Sequence, residues 1–376
     1  MRMTAAVMYE QGLPAPYALS QPLKIEEVEL EGPGEGEVLV EVRSAGLCHS
    51  DLSQVAGLRK RTLPVVMGHE GAGIVREVGR GVTGFKPGDH VVMTVGSGCG
   101  ECVYCVNSRP VLCELVSASR TKGVLMNGAR RLTRGAMGLY HHSGVSSFAQ
   151  YAVTVPGTLV KADPAIPFDV AAMFGCAVVT GAGCVFNAAK VRAGQSVAVI
   201  GLGGVGFNAV MAAKITGASV IVGIDINPGK FALARDLGCT HTVSALDADI
   251  VDVVRDLTLG GVDFALEMSG SKAAMTTANA VTRKGGEIVC VGLGATGDLY
   301  HYPHSALVAE EKVFRGSLMG SCVPQRDLPL YMRYYQEGRL PVERLMSGIF
   351  RFDELNLNLD RLEHGEVLRQ VLRPHG

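Results

Sequence analysis

Three groups of side chains in this 376-residue chain have the types and spacing to do chemistry. Cys99, Cys102, Cys105 and Cys113 crowd into one short stretch with x2, x2 and x7 spacing. Four thiolates so close suit a closed tetrahedral structural zinc site. An iron–sulfur cluster competes, since x2 spacings also serve clusters. A nucleic-acid zinc ribbon fits less well, because the ligands form one compact lobe with little positive charge between them; structural zinc is favoured. The second group is Gly46-Leu47-Cys48-His49-Ser50-Asp51-Leu52, with thiol, imidazole, hydroxyl and carboxylate in four consecutive positions. With His69 of Gly68-His69-Glu70 and with Cys176, Cys48 would make a Cys2His set with an open fourth position, the donor pattern of catalytic zinc. Spacing alone cannot bring positions 48, 69 and 176 together. The third group is Gly201-Leu202-Gly203-Gly204-Val205-Gly206.

These groups need elements to position them, and the glycine motif has the clearest. Ser196–Gly201 is a β-branched apolar run that reads as a buried parallel strand, and Phe207–Thr216 reads as a helix. Strand, Gly-x-Gly-x-x-Gly, helix is the context a dinucleotide fingerprint requires, with the pyrophosphate on the free N–H groups of the helix start. A second strand, Ser219–Asp225, ends in a carboxylate at the distance expected of a ribose ligand. Further strands are expected at His241–Ser244, Val262–Glu267, Glu287–Gly292 and Val313–Gly320, with helices between them such as Lys230–Leu237 and Ala248–Leu257. Six such units predict a doubly wound parallel sheet.

The first part reads differently. Short strands, clearest at Val38–Val42 and Ile74–Val78, alternate with Gly/Pro turns and predict a β-rich domain. Ser117–Gly144 is polar and long for a connection, and is expected to be a functional rim or subunit contact. Within it His141 and His142 read as solvated. Residues 321 to 376 should add two helices and a strand, Val367–Leu372, folding back on the first domain. Cys184, Cys239, Cys290 and Cys322 read as buried small apolar residues.

Composition limits the partners. Hydrophobic residues make up 47% and charged residues 19%, with a net charge of −1, so a globular core is ample and neither nucleic acid nor anionic membrane is the expected partner. The first thirty residues hold Pro14, Pro16 and Pro22 and no apolar run of signal-peptide length, so a cytoplasmic location is expected.

Taken together, the Cys48–Asp51 string, Gly68-His69-Glu70-Gly71-Ala72-Gly73, the four-cysteine lobe, Gly175-Cys176 and Gly201–Gly206 resemble the zinc-containing alcohol dehydrogenases of the medium-chain dehydrogenase/reductase superfamily. The resemblance spans essentially the whole chain, in order and spacing. It implies an α/β protein with a GroES-like β-rich catalytic domain (1–178, zinc lobe about 97–115, completed by 321–376) and a Rossmann NAD-binding domain (179–320). It implies two zincs per chain, one catalytic on Cys48, His69 and Cys176 and one structural in the lobe. Glu70 would lie near the metal, Asp51 would brace His69, Ser50 would touch the substrate oxygen, and His49 would face the cofactor pyrophosphate. Gly201, Gly203, Gly204, Val205, Gly206, Asp225, Lys230, Thr180, Val291 and Arg369 would contact the cofactor. Asp225 argues for NAD over NADP.

Departures from the family pattern bear on substrate. Ser53 stands where many members carry a relay histidine, so the proton exit differs. Val95, Leu293 and Leu318 match apolar pocket positions, and Val95 replaces a common aromatic residue. The resulting expectation is reversible NAD-linked oxidation of a primary alcohol larger than ethanol, aromatic or medium-chain. A thiol-adduct (S-hydroxymethyl) formaldehyde dehydrogenase is the enzyme alternative, weakened by Ser117 at the position where that type carries arginine; Arg120 is nearby but out of register. A non-catalytic zinc- and NAD-binding redox sensor is the alternative of another class. The partners expected are a small alcohol or aldehyde and a second copy in a homodimer, with a tetramer as the other possibility.

Overall fold

The structure is a computed structural model that describes residues 1–95, 98–295 and 297–376. The chain folds as two compact units. One holds Met1–Cys176, Val323–Gln336 and Pro341–Gly376; the other holds Ala177–Cys322 and Glu337–Leu340.

The second unit is a six-stranded parallel sheet. Its strands are β1 (Ser196–Ile200), β2 (Val220–Asp225), β3 (His241–Ser244), β4 (Val262–Glu267), β5 (Thr282–Cys290) and β6 (Val313–Gly316), in the order 3-2-1-4-5-6. β1 is Ser-Val-Ala-Val-Ile, and Val197, Ala198, Val199 and Ile200 are at most 3% exposed, as a strand covered on both faces requires. Helix α1 (Gly204–Thr216) returns the chain to the sheet and stops at Gly217, whose φ of +79° no other residue type adopts as easily. The strand order reverses between β1 and β4, and the loops after these two strands flank a topological switch point. Two boundaries differ most from expectation. β5 starts at Thr282, ahead of the apolar run. β6 ends at Gly316, because Met319 (φ 48°), Gly320 (φ 64°) and Ser321 (φ 50°) curl the following residues into a tight turn.

The first unit has two β assemblies. Arg2–Met8, Leu23–Leu30, Leu132–Arg134, Met137–His141 and Val65–Val66 close a small barrel. In the seven-stranded sheet, Val38–Leu47 pairs antiparallel with Gly71–Val78, Tyr151–Thr154 and Arg369–Leu372. The last pairing, Gln370 opposite Leu47, brings the chain's final strand beside Cys48. A parallel neighbour of that strand, Met346–Phe350, accompanies the two helices Pro324–Gln336 and Leu355–Glu363.

The expectation of a long polar connection over Ser117–Gly144 is corrected. The helix Glu114–Lys122 ends at Gly123, and the strands Leu132–Arg134 and Met137–His141 then form a hairpin of the barrel. Leu125, Leu132 and Leu139 are at most 2% exposed. Burial contributes about 2 kcal/mol for each such leucine, enough to order a polar segment around them. His141 and His142 are each 1% exposed, not solvated.

The helical stretch Phe168–Ala189 is apolar and long enough to cross a membrane by composition, but 83% of its apolar window is buried inside the protein, as befits a core helix.

Candidate active site

Cys48 sits where the strand Val38–Leu47 becomes the helix His49–Val55, and its extended backbone (φ −131°, ψ 154°) makes it the helix cap. Its sulfur accepts from Ser50 N at 3.5 Å, while Asp51 Oδ2 accepts from Cys48 N at 3.1 Å. This reciprocal cap fixes the Asp51 carboxylate. Its other oxygen, Oδ1, lies 2.8 Å from His69 Nδ1. His69 follows Gly68 in the bend before the strand Gly71–Val78. Cys176 arrives from the long helix, within a π-helical turn, Phe174–Val178, of the kind often found at functional sites. Gly175 lets this turn close on the sheet, since a Cβ there would stand 2.4 Å from Met93 O. Thr94 Oγ1 ties the same residue down by donating to Gly175 O at 2.8 Å.

The ligand atoms of Cys48, His69, Glu70 and Cys176 all lie within 4.8 Å of one another, and all four residues are buried. His69 Nε2 and Glu70 Oε2 have no hydrogen-bond partner among the described residues. A buried, unpaired imidazole nitrogen facing two sulfurs, with its other nitrogen held by a carboxylate, is the donor set of a zinc site. The electrostatics agree. The Cys48 thiol is held well below its usual range, chiefly by the Cys176 thiol and with help from His69 and Arg369. Its thiolate and burial push Cys176 well up. Burial pushes the Glu70 carboxyl up to about 7, against the Arg369 guanidinium that donates to its Oε1. Arg369 also donates to Leu47 O at 3.3 Å.

Ser53 spends its hydroxyl on His49 O at 2.7 Å, one turn back along the helix. His49 itself is exposed. Val95 is buried, in the first unit; Thr180, Leu293 and Leu318 belong to the second unit, with Leu293 and Leu318 exposed. Thr180 Oγ1 lies 3.7 Å from Met319 Sδ, and Val291 N donates to Glu267 O at 2.9 Å.

The four lobe sulfurs also lie within 4.8 Å of one another and form no disulfide. Cys99 N points at Cys113 Sγ (3.4 Å) and Cys102 N at Cys99 Sγ (3.3 Å), the N–H···S contacts that stabilise thiolates. The peptide N–H groups of Glu101 and Cys102 lower Cys99 to about 7, while burial raises Cys105 to about 12.

In the second unit Gly201 takes φ +100° and a Cβ on Gly206 would stand 2.0 Å from Gly201 O, so the turn closes only with glycine at 206. Asp225 is 6% exposed. Its Oδ2 accepts from Leu202 N at 2.7 Å, its Oδ1 from Asn227 N at 2.8 Å, and Lys230 Nζ is 3.1 Å away. The carboxylate therefore anchors the glycine turn.

Two residues take places that the sequence reading did not give them. His142 lies against His69, ring centroids 5.5 Å apart. Arg120 reaches back from the helix after Cys113 to donate to Val95 O at 2.7 Å, and Arg61 Nη1 donates to Arg120 O at 3.4 Å. Neither arginine has a carboxylate partner among the described residues. Composition carries no signal for either; only the packing of the barrel hairpin and the lobe does.

Comparison with known proteins agrees with this geometry. Residues 34–164 match the alcohol dehydrogenase GroES-like domain and residues 204–337 the zinc-binding dehydrogenase family. An S-(hydroxymethyl)glutathione dehydrogenase of Escherichia coli is 36% identical over 377 residues, covering 99% of this chain and all of the relative. A class-3 alcohol dehydrogenase of Cereibacter sphaeroides is 34% identical over 384 residues, with 99% and 100% covered. Among solved structures, an alcohol dehydrogenase zinc-binding domain protein from Burkholderia ambifaria superposes with TM-score 0.93 at 35% identity, covering 100% of both chains. A benzyl alcohol dehydrogenase from Acinetobacter calcoaceticus gives 0.92 at 32%, covering 99% of each.

Proposed function

This chain belongs to the zinc-dependent medium-chain alcohol dehydrogenases, NAD-linked oxidoreductases, and from that premise we propose that it interconverts a primary alcohol larger than ethanol, aromatic or medium-chain, with its aldehyde. The observation that carries the reading is the buried Cys48–His69–Cys176 set with His69 Nε2 left unpaired. These three residues would hold the catalytic zinc, and Cys99, Cys102, Cys105 and Cys113 the structural one. Bound zinc supplies the Lewis acidity that lets an alcohol lose its proton near neutral pH, and NAD supplies the hydride acceptor. Asp51 orients His69 through Nδ1. Ser50, on the first turn after Cys48, takes the alcohol proton. Ser53 is committed to His49 O, so the proton leaves through the exposed His49 or through water. Gly201–Gly206 receives the pyrophosphate and Asp225 the ribose hydroxyls, with Lys230, Thr180, Val291 and Arg369 as further cofactor contacts. Val95, smaller than the aromatic residue common at its position, supports a substrate with a ring or an alkyl chain, and Leu293 and Leu318 are the further apolar substrate contacts proposed.

A second reading, a thiol-adduct formaldehyde dehydrogenase, stands level with the first. It is favoured by Arg120, which donates to Val95 O, and by Arg61, which donates to Arg120 O, neither with a carboxylate partner among the described residues, and by the relative named an S-(hydroxymethyl)glutathione dehydrogenase. Metal content together with NAD-linked turnover on ethanol, benzyl and octyl alcohols, with and without glutathione and formaldehyde, separates the two. Two zincs with rates rising toward the larger alcohols support the first; turnover only with the thiol supports the second. Two zincs and no turnover on any of them would refute both.

A homodimer is part of the proposal. Its support is the open edge of β6, where Val313 is 43% exposed. A cytoplasmic location is proposed on ten cysteines without a disulfide.

A further inference from the structure

His142 is buried, titratable and unused by the mechanism above. Its ring is 1% exposed, and neither nitrogen has a hydrogen-bond partner among the described residues. Its backbone is firmly held: His142 N donates to Ser146 Oγ at 2.9 Å, and Val145 N and Ser146 N donate to His142 O at 3.0 and 3.2 Å. Only the ring is left to adjust. In either protonation state an imidazole carries at least one N–H. A buried N–H without a partner is costly, so a carboxylate just beyond hydrogen-bond range is informative. Asp51 Oδ1 lies 3.7 Å from His142 Nδ1.

Asp51 needs such a donor. It is fully buried, and no lysine or arginine pairs with it among the described residues. Cys48 N holds Oδ2, and His69 Nδ1 alone holds Oδ1. The ligating atoms of Asp51, His69 and His142 lie within 4.8 Å of one another. A ring adjustment of about half an ångström brings His142 into hydrogen-bond range.

We propose that His142 is a positioning residue of the metal centre: it donates from Nδ1 to Asp51 Oδ1, so that the carboxylate is clamped by Cys48 N, His69 and His142 and aims His69 Nε2 at the metal. The proposal rests on the reading of Cys48, His69 and Cys176 as zinc ligands. Outer-shell partners of metal-bound histidines commonly change metal affinity 10–100-fold.

The test uses the full-length holoenzyme and two readouts besides activity: loss of zinc during timed dialysis against a chelator, with the lobe zinc as internal reference, and the visible spectrum after cobalt replaces the catalytic zinc. His142→Leu is expected to release the catalytic zinc about 10–100-fold faster, shift the cobalt bands and keep the lobe zinc. His142→Asn, whose amide nitrogen occupies the Nδ1 position, is expected to restore both. Release at the wild-type rate with an unchanged cobalt spectrum in His142→Leu overturns the proposal. Should His142→Leu not fold, His142→Gln, which places its amide at the Nε2 position, is compared with His142→Asn; equal release rates in these two overturn it as well. Cys176→Ser guards the premise. If that variant still holds two zincs, the ligand assignment itself has failed, not the role of His142.

Discussion

Asp225 offers the sharpest test of the cofactor reading, because the structure gives it two tasks that one substitution can separate. Its carboxylate accepts from Leu202 N, which ties the glycine turn to the end of β2, and it is held by Lys230 Nζ at 3.1 Å. Asp225→Asn keeps an acceptor for Leu202 N but removes the charge. A hydrogen bond from ribose to a charged acceptor is worth about 1.5–3 kcal/mol, so kcat/KM for NAD should fall about 10–150-fold. NADP gains at the same time. A 2′-phosphate about 5 Å from a carboxylate at an effective dielectric of 20–40 is repelled by about 2–3 kcal/mol per unit charge, and that repulsion disappears. Lys230, freed of its partner, then faces the phosphate. The NAD-to-NADP preference should therefore swing by at least about 100-fold. Initial rates with both cofactors at saturating alcohol measure it, and thermal unfolding checks the turn. A preference that moves less than about five-fold in a folded protein with an unchanged Tm refutes the ribose role. A swing accompanied by a fall in Tm shows that the amide no longer holds Leu202. Asp225→Gly removes both tasks and should show the swing with a lower Tm.

How much could be read in advance depended on where the apolar signal lay. β1 and β2 were legible as apolar runs, Ser196–Ile200 and Val220–Asp225, and with them as a guide β3 and β4 begin and end where the strand–helix alternation says. β5 begins early at Thr282-Arg283-Lys284-Gly285-Gly286, residues with no apolar signal, joined to the sheet by the pairing of Thr282 with Val262. Leu125, Leu132 and Leu139 are separated by polar, Arg- and Gly-rich residues, which hid a barrel hairpin inside an apparent loop. Met346-Ser347-Gly348-Ile349-Phe350 was missed for a similar reason, since its strand character comes from pairing with Arg369–Leu372. The lobe cysteines are local, so their spacing sufficed. Cys48, His69 and Cys176 are far apart in the chain, and only family resemblance joined them; their meeting depends on a strand end, a bend and a π-helical turn that no spacing encodes. His142 had no signal at all, because a histidine in a polar run reads as solvated until the strand before it is seen to enter the barrel.

Cys113→Ser should remove one zinc per chain and lower stability, while the catalytic metal site stays chemically intact, because Cys113 Sγ is 1% exposed beside Cys99 and a hydroxyl binds zinc poorly. Metal analysis and thermal unfolding check this; two zincs retained would show that the lobe holds none. Glu37 governs acid sensitivity. It is fully buried, and although burial would raise its pKa, Arg131 (2.8 Å), Asn127 (2.8 Å) and Gly34 N (2.7 Å) hold it below the usual glutamate range. A carboxylate with a lowered folded pKa adds stability above the unfolded value, about 4.3, and loses it as pH falls through the folded value. Glu37→Gln should thus be less stable than wild type at pH 7 by about 1–2 kcal/mol, Arg131 being a quarter exposed. The gap between the two proteins should close as the pH is lowered below about 4. Denaturant unfolding of both from pH 7 to pH 3 measures the gap, and curves that stay parallel through that range would mean that Glu37 carries no linked proton.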